Sequence, residues 1–578
     1  MHAAPQPSRM TTFLAWFGLL LGSMLLGAGL LVPDGGLWRL ILVVALWLFS
    51  WLPRLLIRRI AVAGRGMAHL ALACCLGFGA VAAQLAREQI SQAGATRARV
   101  IAMRTLPEQP DAEPLRTADR TALGSGRIWP LAEAAPTRGR IFDRNGVVLA
   151  TNEAGRRAYP NPDLGHIVGF QSRLYGTSGI EAGYDDALEG AGMLPPEALL
   201  EARLLGTALP PVVGADVYLT IDSRLQQAAQ IALGDRAGAV VLLDTQTGAI
   251  VALASAPRFD PNTLVLPLGA GQADVDRVQA AWTALLERGD SPLLNRATQG
   301  RYPPGSVIKT LTAAAALDAG VLSGPDSPVT CPNRLETEAG APPVRNAVEN
   351  LDRRTGDPSD LVRVFAFSCN TAFAQIGLAL GPQRFADYAA RFGMGLGDTP
   401  QPADLREIAA DAGTIAGSAD FLARPVALAD TAFGQGQALV TPLDMARMVA
   451  VIANEGLLLR PYLVERVMHD DTLIYQARPE IVRDALGGLA TRHMRLIMQR
   501  SVEIGYAAPV ALPGVTIGAK TGTAETPTGV PHSWFVAFAP VEQPRYAIAV
   551  IIEYGGEGSR GALPVAREVL AAALGVQP

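Results

Sequence analysis

The most informative stretch of the sequence is Arg301-Tyr302-Pro303-Pro304-Gly305-Ser306-Val307-Ile308-Lys309-Thr310. The Pro-Pro-Gly triplet predicts a bend, and the residues that follow, as far as Leu317, predict a helix. Ser306 and Lys309 are three residues apart, so their side chains share one face of that helix. A serine hydroxyl is a weak nucleophile until a nearby base removes its proton. The stretch therefore predicts a serine nucleophile beside a lysine base.

Lysine usage across the chain supports this prediction. The sequence has 49 Lys plus Arg residues, yet its only lysines are Lys309 and Lys520. Arginine stays charged at any useful pH, whereas a desolvated lysine becomes a neutral amine that can act as a base. At least one of these two positions is therefore expected to need the chemistry of an amine.

Two further motifs follow Ser306 in the chain. Ser368-Cys369-Asn370 lies between the two lysines, and Lys520-Thr521-Gly522-Thr523 follows a strand-like segment at 515–519. Alone, each motif has an ordinary structural reading as a solvated helix pair, a cap or a turn. Together and in this order, Ser-x-x-Lys, Ser-x-Asn and Lys-Thr-Gly resemble the motif set of penicillin-binding proteins and serine β-lactamases.

The composition argues against two classes of protein. With 53 acidic against 49 basic residues, the 578-residue chain has a formal charge of -4, which argues against a broad nucleic-acid surface. Its six histidines include no His-x-x-x-His pair, so the spacing of a zinc hydrolase is lacking, and we expect no metal and no cofactor. The mean hydropathy of +0.22 is high for a soluble protein and predicts membrane segments.

Three apolar stretches near the start are candidate membrane helices: Thr11 to Val32, Leu37 to Leu52 and Met67 to Ala86. The loop between the second and the third carries four arginines, which predicts that this loop is cytoplasmic. Residues 1–86 are therefore predicted to be a membrane region, with everything after Arg87 on the outer side of the inner (cytoplasmic) membrane. A single-span alternative leaves the catalytic part on the same side.

The rest of the chain divides into three predicted parts. Residues 87–137 are rich in Ala, Arg, Pro and Glu and predict a stalk and linker. Residues 138–214 carry Asn145-Gly146 between apolar runs, a strong hairpin signal. They resemble a short version of the N-terminal periplasmic module of class B, monofunctional penicillin-binding proteins. Residues 215–578 are the predicted transpeptidase domain.

The predicted fold class of that last domain is α+β. Its strands are expected at 217–222, at 239–244 and 249–255 as a hairpin, and at 534–539 and 546–553. Between them lies a helix with Thr441 as its N-cap, and the last predicted helix spans 564–574. Strands at both ends with helices between them predict one antiparallel sheet flanked by helices. This is similar to the fold of the penicillin-recognising serine enzymes.

The family resemblance implies a role for each residue of the first two motifs. Ser306 would attack the carbonyl between the two D-alanines of a peptidoglycan stem peptide, and Lys309 would be the base for acylation. Ser368 would relay a proton to the departing D-alanine, and Asn370 would hold Lys309 and the substrate amide.

The third motif is expected to bind the substrate. Lys520 and Thr521 would bind its terminal carboxylate, and Gly522 would let the peptide lie close to the strand edge. The backbone N–H groups of Ser306 and Thr523 would form the oxyanion hole.

Three other residues are weighed separately. His532 is expected to be structural rather than catalytic. Cys331 and Cys369 are compatible with a disulfide or with buried free thiols, and we expect free thiols.

The sequence thus predicts a membrane-anchored class B penicillin-binding protein that acts as a peptidoglycan D,D-transpeptidase and is acylated by β-lactams. Its expected partners are stem peptides, β-lactams, the lipid bilayer and a membrane glycosyltransferase of wall synthesis, with no nucleic acid. A D,D-carboxypeptidase, a non-catalytic wall scaffold and a β-lactam receptor remain as alternatives. A β-lactamase would need a dedicated deacylation loop, and a bifunctional enzyme would need a further domain before Val217.

Overall fold

The computed structural model describes residues 17, 20, 21, 23–25, 35–50, 72, 137–190, 213–267, 269–399 and 401–577. Contacts divide the chain into two units, residues 1–126 and 127–578. Within the first unit, helix α1 (Gly35–Phe49) overlaps the second predicted membrane stretch, Leu37 to Leu52. Among the helices of the described part, none is long and apolar enough to cross a membrane.

Several predictions for the front of the chain fall outside the described residues. The predicted spans at 11–32 and 67–86 lie largely outside them, and so does the predicted stalk and linker at 87–137, apart from Thr137. These three segments stay predictions.

The second unit begins with the module. In chain order it contains β1 (Ile141–Phe142), β2 (Val148–Glu153), β3 (Arg156–Ala158), a 3₁₀ helix (Pro162–Leu164), α2 (Gly165–Val168), β4 (Gln171–Ser172), β5 (Gly176–Thr177), α3 (Gly179–Gly183) and α4 (Asp185–Leu188). The predicted hairpin is confirmed, because β1 and β2 pair antiparallel around Asn145-Gly146. Gly146 has φ +84°, a conformation that glycine adopts without strain.

The first half of the following domain contains β6 (Asp216–Leu219), α5 (Ser223–Leu233), β7 (Gly238–Asp244), β8 (Ile250–Ala256), a 3₁₀ helix (Pro261–Leu264), α6 (Gln272–Glu287), a 3₁₀ helix (Gly305–Ile308), α7 (Lys309–Asp318), β9 (Pro328–Val329), β10 (Arg334–Leu335), β11 (Val344–Arg345), α8 (Asp352–Thr355), β12 (Ser359–Asp360), α9 (Leu361–Ala366), α10 (Asn370–Leu380) and α11 (Pro382–Arg391).

The second half contains β13 (Gly395–Leu396), β14 (Gln401–Pro402), β15 (Asp411–Ala412), β16 (Thr414–Ala416), α12 (Ala419–Leu422), α13 (Pro425–Phe433), α14 (Pro442–Ala453), β17 (Leu457–Leu459), β18 (Val464–His469), β19 (Thr472–Gln476), β20 (Ile481–Asp484), α15 (Gly488–Ile504), a 3₁₀ helix (Ala508–Val510), β21 (Gly518–Ala524), β22 (His532–Ala539), β23 (Tyr546–Ile552) and α16 (Ala562–Leu574).

The central sheet has five strands in the order β21-β22-β23-β7-β8, and every neighbouring pair is antiparallel. Side chains along a strand point alternately to the two faces, so β7 supplies both sides of the core. Val240 belongs to the buried cluster on one face, which includes Leu570 of α16. Val241 packs with Met445 of α14 on the other. The predicted antiparallel sheet flanked by helices is confirmed.

The helix predicted to start at Thr441 is also confirmed. Thr441 Oγ accepts a hydrogen bond from Asp444 N at 3.1 Å, and Asp444 Oδ2 accepts one from Thr441 N at 2.9 Å. These reciprocal bonds satisfy N–H groups that the start of a helix leaves without partners. They fix α14, which covers one face of the central sheet.

A second sheet joins the module to the domain that follows it. Its six strands lie in the order β19-β18-β6-β1-β2-β3. Strand β1 of the module pairs parallel with β6, and β6 pairs antiparallel with β18. Strand β6 follows the predicted boundary at residue 214, so one sheet continues across that boundary.

A buried carboxylate holds the module together. Glu181 has no exposed side-chain surface, and its oxygens lie 2.7 Å from Arg138 Nε and 2.6 Å from Arg157 Nε. Arg157 also donates to Gly139 O at 2.7 Å, and Tyr159 OH donates to Glu181 at 3.2 Å. Because a buried charge is costly without its partners, this cluster fixes α3 against β3 and the segment before β1.

We expect Arg157→Gln to lower the free energy of unfolding by about 3–5 kcal/mol, because it leaves Glu181 buried without one of its two cations. Arg140→Gln is the matched control. It removes an ion pair to Asp216 in which the arginine is 53% exposed, so its cost should be at most about 1 kcal/mol. Urea unfolding followed by circular dichroism measures both. Equal losses for the two variants would contradict the role given to Glu181.

Candidate active site

The predicted nucleophile lies in a short turn that is held against the central sheet. Ser306 belongs to the 3₁₀ helix Gly305–Ile308, which continues directly into α7. Gly305 has φ +52°, and a Cβ on it would lie 2.5 Å from Thr523 O of β21. Trp534 of β22 donates from Nε1 to Pro303 O at 2.9 Å. The turn is therefore fixed to two neighbouring strands.

Lys309 is the centre of the hydrogen bonds at this site, and its side chain is completely buried. Its Nζ lies 3.1 Å from Ser306 Oγ, so the predicted nucleophile and base are in contact. It also lies 2.8 Å from Ser368 O and 2.6 Å from Asn370 Oδ1, and 3.1 Å from Ser368 Oγ. The Ser-x-Asn motif thus meets the Ser-x-x-Lys motif at one amine.

These distances assign donors and acceptors. Ser368 O and Asn370 Oδ1 only accept hydrogen bonds, so both require an N–H of Lys309. A neutral amine has two N–H groups and one lone pair, so its lone pair is left for a hydroxyl. Ser306 then donates its proton toward Lys309, which is the arrangement that activates a serine nucleophile.

Ser368 connects the two lysines. Its Oγ lies 3.1 Å from Lys309 Nζ and 3.0 Å from Lys520 Nζ. Its φ of +59° is uncommon for a residue with a side chain, and such strain occurs where the surrounding structure holds a residue in a functional position. The hydroxyl can therefore pass a proton between the amine of Lys309 and a group bound beside Lys520.

The side-chain amide of Asn370 has a fixed orientation. Its Oδ1 faces Lys309, while its Nδ2 donates to Arg345 O of β11 at 3.0 Å. Asn370 is the first residue of α10, so the helix backbone also holds it in place. Neither Arg345 nor this bond was identifiable from the sequence, because the two residues are brought together only by the fold.

The prediction of free thiols is wrong, because Cys331 and Cys369 form a disulfide across 38 residues of chain. Cys369 lies between Ser368 and Asn370, so the bond ties the Ser-x-Asn motif to the segment before β10. Asn346, which follows β11, adds a second tie by accepting a hydrogen bond from Thr371 N at 3.2 Å. Buried free thiols and a buried disulfide have the same sequence pattern, so the sequence alone could not show that these two cysteines are bonded.

Lys520 lies inside a strand and not after one. It is the third residue of β21, whereas the sequence predicted that the strand ends before it. Strand β21 is the edge of the central sheet and pairs only with β22 among the strands that the structure describes. Lys520 Nζ donates to Thr521 O at 2.8 Å. The Lys-Thr-Gly motif therefore lies along an edge where an extended peptide can add as a strand.

Gly522 has a packing role as well. A Cβ on it would lie 2.8 Å from Val307 Cγ1 and 2.9 Å from Trp534 Cβ. Only glycine lets the nucleophile turn approach β21 this closely. Thr523 follows it, and its Oγ accepts a hydrogen bond from Gly558 N at 3.3 Å.

The environment of both lysines disfavours their charged forms. Burial first, and then the charge of Lys520, lower the pKa of Lys309 well below its ordinary value of 10.5. Burial lowers the pKa of Lys520 to about 7. The ring of Phe373 lies 5.7 Å from Lys309 Nζ, and that of Phe365 lies 5.6 Å from Lys520 Nζ. Across the described ranges, no carboxylate forms an ion pair with either amine.

His532 has contacts of a structural kind. Its Nδ1 accepts a hydrogen bond from Tyr554 N at 3.0 Å, and its ring meets the ring of Tyr302 edge-on at 5.5 Å. Tyr302 in turn donates to Glu553 at 2.7 Å, and Arg296 forms an ion pair with the same carboxylate. This network supports the segment before the nucleophile turn, and no pattern in the sequence indicated it.

Comparison with known proteins agrees with this geometry. The family model for the penicillin binding protein transpeptidase domain matches residues 238–574. The peptidoglycan D,D-transpeptidase PbpA of Mycolicibacterium smegmatis is 37% identical over 443 residues, which cover 72% of this chain and 84% of that protein. The peptidoglycan D,D-transpeptidase MrdA of Escherichia coli K12 is 27% identical over 464 residues, covering 70% and 69%.

Two solved structures have the same fold. Penicillin-binding protein A from M. tuberculosis, in an imipenem acyl-enzyme complex, aligns with a TM-score of 0.67 and 32% identity over 76% of this chain and 99% of that chain. Pseudomonas aeruginosa PBP2, in complex with WCK 5153, aligns with a TM-score of 0.62 and 30% identity over 76% of this chain and 96% of that chain.

The two lysines predict a bell-shaped pH profile for the reaction of Ser306 with a fluorescent penicillin. The rate should rise with pH as Lys309 loses its proton, and fall as pH passes about 7, where Lys520 loses the charge that is predicted to hold the drug's carboxylate. Lys520→Arg should remove the fall, because arginine stays protonated. Labelling reactions that are quenched at set times, between pH 5 and pH 10, measure both the rise and the fall of the rate.

Lys309→Met is the companion variant and should lower the rate at every pH by about 100-fold or more, since it removes the predicted general base, which lies 3.1 Å from Ser306 Oγ. A fall above pH 7 that persists in Lys520→Arg would show that Lys520 does not cause it.

Proposed function

The chain belongs to the penicillin-binding protein transpeptidase family, and from that premise we propose that it is a class B peptidoglycan D,D-transpeptidase. It cross-links stem peptides through an acyl-enzyme on Ser306 and is acylated by β-lactams at the same residue. One observation carries the proposal: the hydroxyl of Ser306 lies 3.1 Å from a fully buried amine whose two N–H groups are held by other acceptors.

Acylation begins with Ser306. Its Oγ attacks the carbonyl carbon between two D-alanines as its proton passes to the lone pair of Lys309. The backbone N–H groups of Ser306 and Thr523 face the oxygen that becomes negative. When the peptide C–N bond breaks, the proton reaches the departing nitrogen through Ser368, whose Oγ is 3.1 Å from Lys309 Nζ. D-alanine leaves and the ester on Ser306 remains.

Substrate binding uses the other side of Ser368. The charged form of Lys520, with the hydroxyl of Thr521, holds the terminal carboxylate of the donor peptide. The peptide backbone pairs with the open edge of β21. Asn370 holds the substrate amide on the opposite side. In the second half-reaction an amine of a neighbouring stem attacks the ester, Lys309 accepts the amine's proton, and Ser306 recovers its own.

We expect Ser306→Ala to abolish covalent labelling by fluorescent penicillin, because it removes the proposed nucleophile, the hydroxyl that lies 3.1 Å from Lys309 Nζ. Intact-mass detection of the adduct, with peptide mapping, measures this loss. Ser368→Ala is the matched control and should still be labelled, more slowly. A folded wild-type protein that takes up no penicillin would contradict the proposed nucleophile.

A second assay separates cross-linking from hydrolysis. Wild-type protein is given a stem pentapeptide and a peptide with a free amine, and both released D-alanine and the cross-linked product are quantified. Cross-linked product in proportion to D-alanine supports the transpeptidase. D-alanine without cross-links would instead assign the D,D-carboxypeptidase of the same fold.

We also propose that residues 1–86 anchor the protein in the inner membrane, with residues 138–578 on the periplasmic side, and that they contact a membrane glycosyltransferase. The three apolar stretches predicted from the sequence support this proposal, and helix α1 covers most of the second one. A transpeptidase benefits from such a partner, since it acts on the strands that a glycosyltransferase extends.

Replacing residues 1–86 by an unrelated single-span anchor tests the partner. We expect the chimera to bind fluorescent penicillin like the wild type but to fail to replace it in cells that depend on the protein. The physical reason is that the new anchor keeps the enzyme at the membrane while removing the surface that meets the partner. If the chimera fully supports growth in place of the wild-type protein, the proposed contact through residues 1–86 is contradicted.

A further inference from the structure

A cavity of about 290 Å³ lies where the module meets the transpeptidase domain. Three tyrosines and three arginines line it: Tyr184, Tyr462, Tyr475, Arg406, Arg460 and Arg478. Tyr184 belongs to the module, and the other five belong to the segments around β17 to β20 and before β15. None of the residues that contact Lys309 or Lys520 lines this cavity, so it is separate from the reaction site.

The charges around the cavity are only partly paired. Arg460 holds Glu480 with two hydrogen bonds of 2.7 and 2.8 Å. The side chains of Arg406 and Arg478 have no hydrogen bond and no ion pair with any residue that the structure describes, and both are exposed. Both guanidinium groups therefore keep N–H donors for a carboxylate from outside the chain, while the charge of Arg406 also helps to lower the pKa of Glu480.

A buried carboxylate lies at the same place. Glu407 is 9% exposed and lines the cavity. Its oxygens accept hydrogen bonds from Leu463 N at 3.2 Å and Arg406 N at 3.1 Å. Each oxygen keeps a further lone pair for a donor in the cavity. Tyr184 and Tyr475 line the cavity together with this carboxylate, and burial first, and then the charge of Glu407, raise the pKa of both phenols.

The module contributes to the cavity by close packing. A Cβ on Gly183 would lie 2.3 Å from Glu407 O, so only glycine allows α3 to approach this segment. Tyr184 follows Gly183 and lines the cavity wall. The cavity therefore exists only when the module is docked on the transpeptidase domain.

We propose that this cavity binds a segment of a peptidoglycan strand that is not itself reacting. The proposal rests on the function proposed above. Each class of lining group has a counterpart on such a strand. Tyrosine faces suit the apolar faces of sugar rings, Arg406 and Arg478 suit the carboxylates of a stem peptide, and Glu407 suits an N–H or hydroxyl donor. The volume holds about one sugar unit with the first part of its stem.

The charges disfavour a phosphate ligand. A phosphate diester has no donor for Glu407, and that buried carboxylate would repel its negative charge. A glycopeptide satisfies the two arginines and the carboxylate together. An enzyme that cross-links strands needs to hold a polymer near its site, and a second contact raises the effective concentration of the stems on that polymer.

The test uses the full chain in detergent after acylation of Ser306 by penicillin G, which closes the reaction site. The probe is a soluble disaccharide pentapeptide, and calorimetry measures its Kd. We expect binding by the wild type and a loss of at least about tenfold in Arg406→Gln/Arg478→Gln, since each charged contact is worth about tenfold. Arg384→Gln/Arg492→Gln, which changes two exposed arginines outside the cavity, is the matched control and should bind like the wild type.

Two further arms identify which part of the probe is bound. The pentapeptide alone should bind more weakly than the whole probe and still depend on Arg406 and Arg478. Tyr475→Leu should weaken the whole probe more than the pentapeptide, because its ring is assigned to a sugar. No binding by the acylated wild type, or equal Kd values for the two double variants, would overturn the proposal. Acylation by penicillin G reports on the proposed function independently, so the two failures are distinguishable.

Discussion

The desolvation of Lys309 is the constraint on which the rest of the site depends. An ammonium group at that position would need three acceptors and would bear the cost of leaving water. Ser368 O and Asn370 Oδ1 accept two hydrogen bonds from the amine, and in the described part of the chain no carboxylate pairs with it. Because its charge would be buried without an opposite charge, the neutral amine is the favoured form. Ser306 is useful only because this amine keeps a lone pair for it.

Several segments that are distant in the chain exclude water from the Lys309 amine and hold it in position. Trp534 and Gly522 bring the nucleophile turn against the central sheet, and Gly305 allows the closest contact. The Ser-x-Asn motif approaches from the other side, tied by the Cys331–Cys369 disulfide. A loosening at either side would admit water to Lys309 and raise its pKa toward the ordinary value. Structural residues without any chemistry of their own thus set the reactivity of Ser306.

How much the sequence could predict follows from how local each feature is. Ser306 and Lys309 share one helical turn, and Thr441 caps the helix that begins at the next residue, so both features were predictable. The disulfide and the bond from Asn370 to Arg345 join segments far apart in the chain, and nothing local marks them. Lys520 was placed after a strand because Lys-Thr-Gly, with Gly522, is typical of a strand-to-turn junction, whereas Gly518 was placed within the strand. In the structure these glycines serve close packing inside β21.

The continuity of the two sheets changes how the module should be regarded. Strand β6 pairs with β1 of the module, and the chain then passes through α5 into β7 of the central sheet. Thr220, just after β6, donates to Ile250 O of β8 at 2.7 Å, so the two sheets are also joined by side chains. Moving the module away would break a parallel ladder and the packing of Gly183 on Glu407. The module is therefore better understood as one wall of the enzyme than as a spacer between membrane and active site.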